Sequence, residues 1–169
     1  MKWSREMVKY LLIGQVVVPF FINIAVNVVI GTLTFWGQDS VQTWTLDKGA
    51  AADSIGTCFF LPFITCLIAT PIVRSQMKNG TAPQVSALDI PRWAKRMSGP
   101  LLVRATKFGV VGMLLLAAPV FAAYSVLAPD SIETIRFIGI KSISAGVFGI
   151  LATPLIAFVA MCDRPSTGS

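Results

Sequence analysis

Gln15, Asn23 and Asn27 fall on a four-residue ladder whose remaining rung is Pro19, and Thr34 returns to the asparagine face seven residues after Asn27. On a helix this spacing collects the amides along one side. Neutral amides coordinate dehydrated ions or hydrogen-bond small solutes without introducing charge. The same groups also join helices, through hydrogen bonds worth about 1 kcal/mol or less each. In either role the stripe must face protein or water, because an unpaired amide is costly in hydrocarbon. Thr57, Thr65 and Thr70 in the next apolar run are the residues that would extend it into a polar path.

Enzymatic chemistry finds little to use. The chain has no histidine, hence no imidazole base and no histidine ligand for zinc or haem. The apolar runs hold no Asp or Glu for acid–base work or proton relay. Cys58 and Cys66 are eight apart, Cys162 follows the last run, and no C-x-x-C pair exists for disulfide exchange. No glycine-rich phosphate loop is present. The expectation is no catalytic residue, no metal and no cofactor.

The elements that must carry the stripe follow from composition. The chain is 54% hydrophobic and 13% charged, with mean hydropathy +0.72, which marks an integral membrane protein. Apolar runs over 11–36, 55–73, 108–127 and 137–161 each approach or exceed the roughly 20 residues a helix needs to span a bilayer. The reading is an all-α protein with four transmembrane helices in a single membrane domain. The first run follows a basic "MKWSREMVKY" segment, but it is too long for a cleavable signal and lacks a small-x-small site, so it reads as a signal anchor.

Positive charge orients the spans. Lys2, Arg5 and Lys9 precede the first, Arg74, Lys78, Arg92, Lys95, Arg96, Arg104 and Lys107 lie between the second and third, and Arg164 follows the fourth. The other two connections, with the start of span four, hold Lys48, Arg136 and Lys141 alongside Asp39, Asp47, Asp53, Asp130 and Glu133. The positive-inside rule then puts both termini in the cytoplasm of a bacterial inner membrane. Trp3, Tyr10 and Trp93 fall at the inner boundary and Trp36, Trp44 and Tyr124 at the outer, the levels that amphipathic rings prefer. The net charge of +6 is therefore topological, and the expected partner is the lipid bilayer rather than nucleic acid.

Between spans two and three, "LDIPRWAKRMSGP" reads as a short interfacial helix over 90–98, capped by Asp89 and stopped by Gly99-Pro100. Ile90, Trp93, Ala94 and Met97 form its apolar stripe, and Arg92, Lys95 and Arg96 its lipid-facing basic side.

Every span carries a proline that frees the carbonyl four residues earlier: Pro19, Pro62, Pro71, Pro119 and Pro154. These are candidate hinges, and the hydroxyls of Thr70 and Thr153 offer local partners for opened carbonyls. "ATP" occurs at Ala69–Pro71 and again at Ala152–Pro154. Sliding one onto the other pairs Ile55 with Ile138 and Gly56 with Gly139, while spans one and three end in "WGQDS" and "LAPDS". Two tandem two-helix hairpins related by an axis along the membrane normal would produce this match, as would chance. In span four, Ser142 and Gly146, then Ala145, Gly149 and Thr153, provide a small-residue face for close packing. Lys141 is expected to snorkel to the headgroups.

Two functions fit these residues. One is a permease-like or channel-like protein acting as a homo-oligomer on a small solute or ion, because four helices barely enclose a cavity. The other is a non-catalytic accessory or assembly subunit that docks a larger membrane complex.

Overall fold

The computed structural model describes residues 5–83, 85 and 90–163. Lys2, Trp3, Asp89 and Arg164, used above for orientation and capping, lie outside the described residues.

Among the described residues four helices are long and apolar enough to cross a membrane: α1 (Arg5–Thr34), α2 (Ala50–Lys78), α4 (Leu101–Leu127) and α5 (Thr134–Met161). Between α2 and α4 lies α3 (Arg92–Met97). In hydrocarbon each backbone N–H and C=O must be paired within the segment, and the helix does this for any apolar sequence. The helices are 27 to 30 residues long, about 40–45 Å at about 1.5 Å per residue, and so extend beyond the apolar runs. One consequence is a correction: Asp53 belongs to the first turn of α2 and Glu6 to that of α1, so two of the four long helices do contain a carboxylate.

Helix α1 is not uniformly wound. Tyr10–Val17 forms a π-helical segment, in which the amide of Val18 donates to Ile13, and Pro19 follows directly. Proline withholds a donor from Gln15, and wider winding in the preceding turns accommodates that deficit. The other four prolines lie inside helices that run on through them.

At one end of the molecule the α1–α2 and α4–α5 connections pair as an antiparallel ribbon, β1 (Ser40–Gln42) with β2 (Ser131–Glu133), in the register Val41 opposite Ile132. Its hydrogen bonds are reciprocal. The amide of Thr43 donates to the carbonyl of Asp130 at 2.9 Å, and that of Thr134 to Asp39 at 3.1 Å. The Thr134 hydroxyl donates to the Gln38 carbonyl, and the Thr43 hydroxyl to the Pro129 carbonyl. The pentapeptides concerned, "DSVQT" at Asp39–Thr43 and "DSIET" at Asp130–Thr134, match beyond the two residues noted above. A small core of Phe35, Val41, Ala50 and Phe137 lies beneath the ribbon.

The helices form an open layer: α1 packs on α5, α5 on α2, and α2 on α4. Glycines set the close approaches. A Cβ at Gly146 would fall 2.8 Å from the Phe20 ring, and one at Gly149 would fall 2.4 Å from Asn23 Nδ2, so α1 seats on the small-residue face of α5. A Cβ at Gly112 of α4 would fall 2.5 Å from the Cys58 carbonyl oxygen and 2.6 Å from the Pro62 ring. The carbonyl opened by Pro62 thus faces a glycine, where no side chain fits between the helices.

The larger core lies at the opposite, basic end, where Leu11, Val73, Phe108, Ile156 and Val159 meet. Helix α3 folds against it. Ala94 is fully buried, Ile90 and Met97 pack on the core, and the Trp93 ring lies 5.7 Å from Phe158. The short helix is therefore six residues long, begins after Pro91 rather than at 90, and turns most of its apolar stripe toward the protein. Arg92, Lys95 and Arg96 are exposed, and Lys107 Nζ donates to the carbonyls of Arg96 and Ser98, closing the helix end. Asp163 gathers this end together, accepting from Arg74 Nε at 2.9 Å and from Arg104 Nη2 at 2.5 Å. Arg104 is fully buried, so this carboxylate compensates a charge that water does not reach.

Candidate functional site

Helices α4 and α5 both pack on α2, yet a groove of about 480 Å³ separates them toward the ribbon end. Its floor is the start of α2, its walls are α4 and α5, and the α4–α5 connection closes its top.

The floor is positioned by a tight turn. Lys48 takes a left-handed φ of 54°, and a Cβ at Gly49 would fall 1.9 Å from the Thr45 carbonyl oxygen, so only glycine lets the chain turn into α2 here. The Asp53 amide then donates to Gly49 at 2.9 Å, and its carboxylate sits in the first helical turn, where the helix dipole favours negative charge. Lys141 of α5 reaches it: Nζ is 2.9 Å from Oδ1 and 2.7 Å from Oδ2, with the lysine side chain 4% exposed. Lys141 thus pairs inside the protein instead of snorkelling. Beside the pair, the Ser54 and Tyr124 hydroxyls share a 2.8 Å hydrogen bond between α2 and α4, and Thr57 donates to the Asp53 carbonyl. Ser144 adds a hydroxyl on α5, while Val120, Leu127, Ile140 and Phe148 supply apolar wall. At the mouth Arg136 Nε lies 3.2 Å from Glu133 Oε2, both side chains well exposed.

The amide stripe lies elsewhere. Asn23 Nδ2 donates to the Pro19 carbonyl at 2.8 Å, and Asn27 Nδ2 to the Asn23 carbonyl at 2.9 Å, so both amides bond their own helix where it meets α5. Gln15 is buried in the π-helical segment and Thr34 half-buried at the end of α1. Thr65 is half-buried, and Thr70 is fully buried with its hydroxyl 3.6 Å from Cys66 Sγ. None of these six residues lines the groove. Among the described residues the Thr153 hydroxyl has no hydrogen-bond partner, and no cluster of acidic and cysteine side chains suited to a metal occurs.

Asp53, Ser54 and Tyr124 are the site residues that the sequence reading left in the loops or at the interface. A usable signal was the run "GAAADSIG" at 49–56, where alanines extend the helix upstream of the apolar window. The chain matches no known family model, no curated protein and no solved structure. The groove is therefore interpreted from its own chemistry.

Proposed function

We propose that this is a non-catalytic, permease-like protein of the bacterial inner membrane that admits a small solute to the α4–α5 groove, working as an oligomer. The observation that carries the proposal is Lys141 on the groove wall, held there by its ion pair with Asp53. Ionisable groups in membrane-spanning helices are costly, and they concentrate where a pathway or ligand needs them. The other buried cation, Arg104, is paired with Asp163 beside the packed core of the basic end, whereas Lys141 adjoins an open groove.

Orientation follows from charge. Arg74, Lys78, Arg92, Lys95, Arg96, Arg104 and Lys107 cluster at one end, which supports cytoplasmic termini and an extracytoplasmic groove. Exposed Arg92, Lys95 and Arg96 would then lie along anionic lipid headgroups. The reciprocal bonds of "DSVQT" and "DSIET" support two tandem hairpins about a pseudo-two-fold axis through Val41 and Ile132. The exchange of partners, α1 on α5 and α4 on α2, obeys the same axis. An open layer of four helices encloses no channel, so a complete path requires a second copy.

The test is flux of a broad solute and ion panel in proteoliposomes, comparing wild type with Lys141→Met/Asp53→Asn and with Asn23→Leu/Asn27→Leu. Loss of flux in the first variant alone assigns the path to the groove; loss in the second alone returns it to the amide stripe. The alternative is an accessory subunit, whose docking face would lie outside the asparagine stripe, since Asn23 and Asn27 are already satisfied at a helix contact. Native mass spectrometry after gentle extraction separates the two, because a homo-oligomer supports the path and a persistent foreign subunit supports the accessory role.

A further inference from the structure

Resting on the groove as a binding site, we infer that its occupant is a zwitterionic phospholipid from the leaflet at the ribbon end. With α2 as floor, two helices as walls and the α4–α5 connection as roof, the remaining open side faces the surrounding membrane. Entry is lateral, which favours a molecule already dissolved in the bilayer over one arriving from water.

The dimensions agree. Along α5 the lining runs from Arg136 to Phe148, roughly 18 Å at about 1.5 Å per residue, close to the roughly 15 Å of one hydrocarbon leaflet. The volume of about 480 Å³ is within the usual range for a ligand cleft. Polar groups gather toward the ribbon, with Glu133 and Arg136 at the mouth and Lys141, paired with Asp53 outside the lining, and the Ser54–Tyr124 pair deeper. Beyond them Val120, Ala123 and Phe148 provide an apolar channel for a chain.

Charge selects the headgroup. The groove is lined by Arg136, Lys141 and Glu133, and each cation has a carboxylate partner, Glu133 for Arg136 and, outside the lining, Asp53 for Lys141. A purely anionic headgroup that took Arg136 would meet Glu133, a like charge beside it. A zwitterion places phosphate on Arg136 and ammonium on Glu133, so each headgroup charge meets its opposite.

The test uses the full chain reconstituted in vesicles of equal phosphatidylethanolamine and phosphatidylglycerol, gently re-extracted and weighed by native mass spectrometry. The expected result is phosphatidylethanolamine retained several-fold over phosphatidylglycerol. Ala123→Trp, which puts a ring in the groove from an exposed position, should abolish retention, and Glu133→Gln/Arg136→Gln should abolish the preference. Equal retention of the two lipids, preference for phosphatidylglycerol, or retention undiminished in Ala123→Trp overturns the inference. Solute flux on the same preparations distinguishes the two failures. Flux blocked by Ala123→Trp without lipid retention removes the lipid and leaves the solute site, whereas neither changing removes both.

Discussion

Lys141 and Asp53 meet 88 residues apart in sequence, with Nζ 2.7 Å from a carboxylate oxygen and the lysine side chain almost wholly enclosed. Each is the other's condition for being there, because a lone charge in this setting would have to neutralise or draw in water.

Single removal should therefore cost more than joint removal. Asp53→Asn or Lys141→Met alone is expected to lower stability by about 3 kcal/mol, while the double variant Lys141→Met/Asp53→Asn recovers much of it. Thermal unfolding in detergent, read as a double-mutant cycle, gives the coupling. Additive losses would mean that the two side chains do not interact in solution.

The α2–α4 contact should be sensitive to one methyl group. Gly112→Ala places a carbon against both the Cys58 carbonyl and Pro62, and is expected to destabilise by about 1–3 kcal/mol as the helices separate. Gly139→Ala, at a position with nothing within 4 Å, should be neutral or stabilising through helix propensity. Equal effects of the two in unfolding measurements would show that the close approach is absent.

Cys162, just past the end of α5, is buried beside Asp163, and burial first, then that carboxylate, push its thiol up to about 11. At pH 7 only about one thiol in ten thousand is ionised, so alkylation of a Cys58→Ser/Cys66→Ser protein should be slow until strongly alkaline pH. The unfolded thiol titrates near 9.0. Between 9 and 11 the unfolded chain releases a proton that the folded chain keeps, so this group's contribution to stability falls as pH rises through that window. Rapid labelling at pH 7 would contradict the buried position.

Orientation is tested by cysteine accessibility in intact cells. Ala51 is buried in the first turn of α2 and so a poor reporter for the α1–α2 connection, whereas Leu46 is 96% exposed. Leu46→Cys should react with an impermeant maleimide, and Asn79→Cys at the basic end should be shielded. The opposite pattern would reverse the proposed topology.

The spans were legible because transfer from water to hydrocarbon is a local property: about twenty apolar residues are sufficient whatever they touch. Their ends were less legible, since the helix continues through Ala50–Ser54 and Arg74–Lys78, where composition turns polar but backbone hydrogen bonding does not stop. The close-packing role of Gly146 and Gly149 was also readable, because small residues at four-residue spacing imply it.

The site was much less so. Periodicity identifies Asn23 and Asn27 as facing protein, but it cannot say whether an amide turns to a path or back to its own helix; here each bonds the carbonyl four residues earlier. Lys141 looked like a snorkelling lysine because its partner was assigned to a loop. The sequence by itself determined that four helices are long and apolar enough to cross a membrane and which end of the bundle is basic, for hydropathy and charge act residue by residue. Only the tertiary structure decided that α4 and α5 stand apart on α2, that Asp53 lies under Lys141, and that the two "DS" segments pair. Those relationships depend on which helix neighbours which, and they span 70 to 93 residues that no local pattern connects.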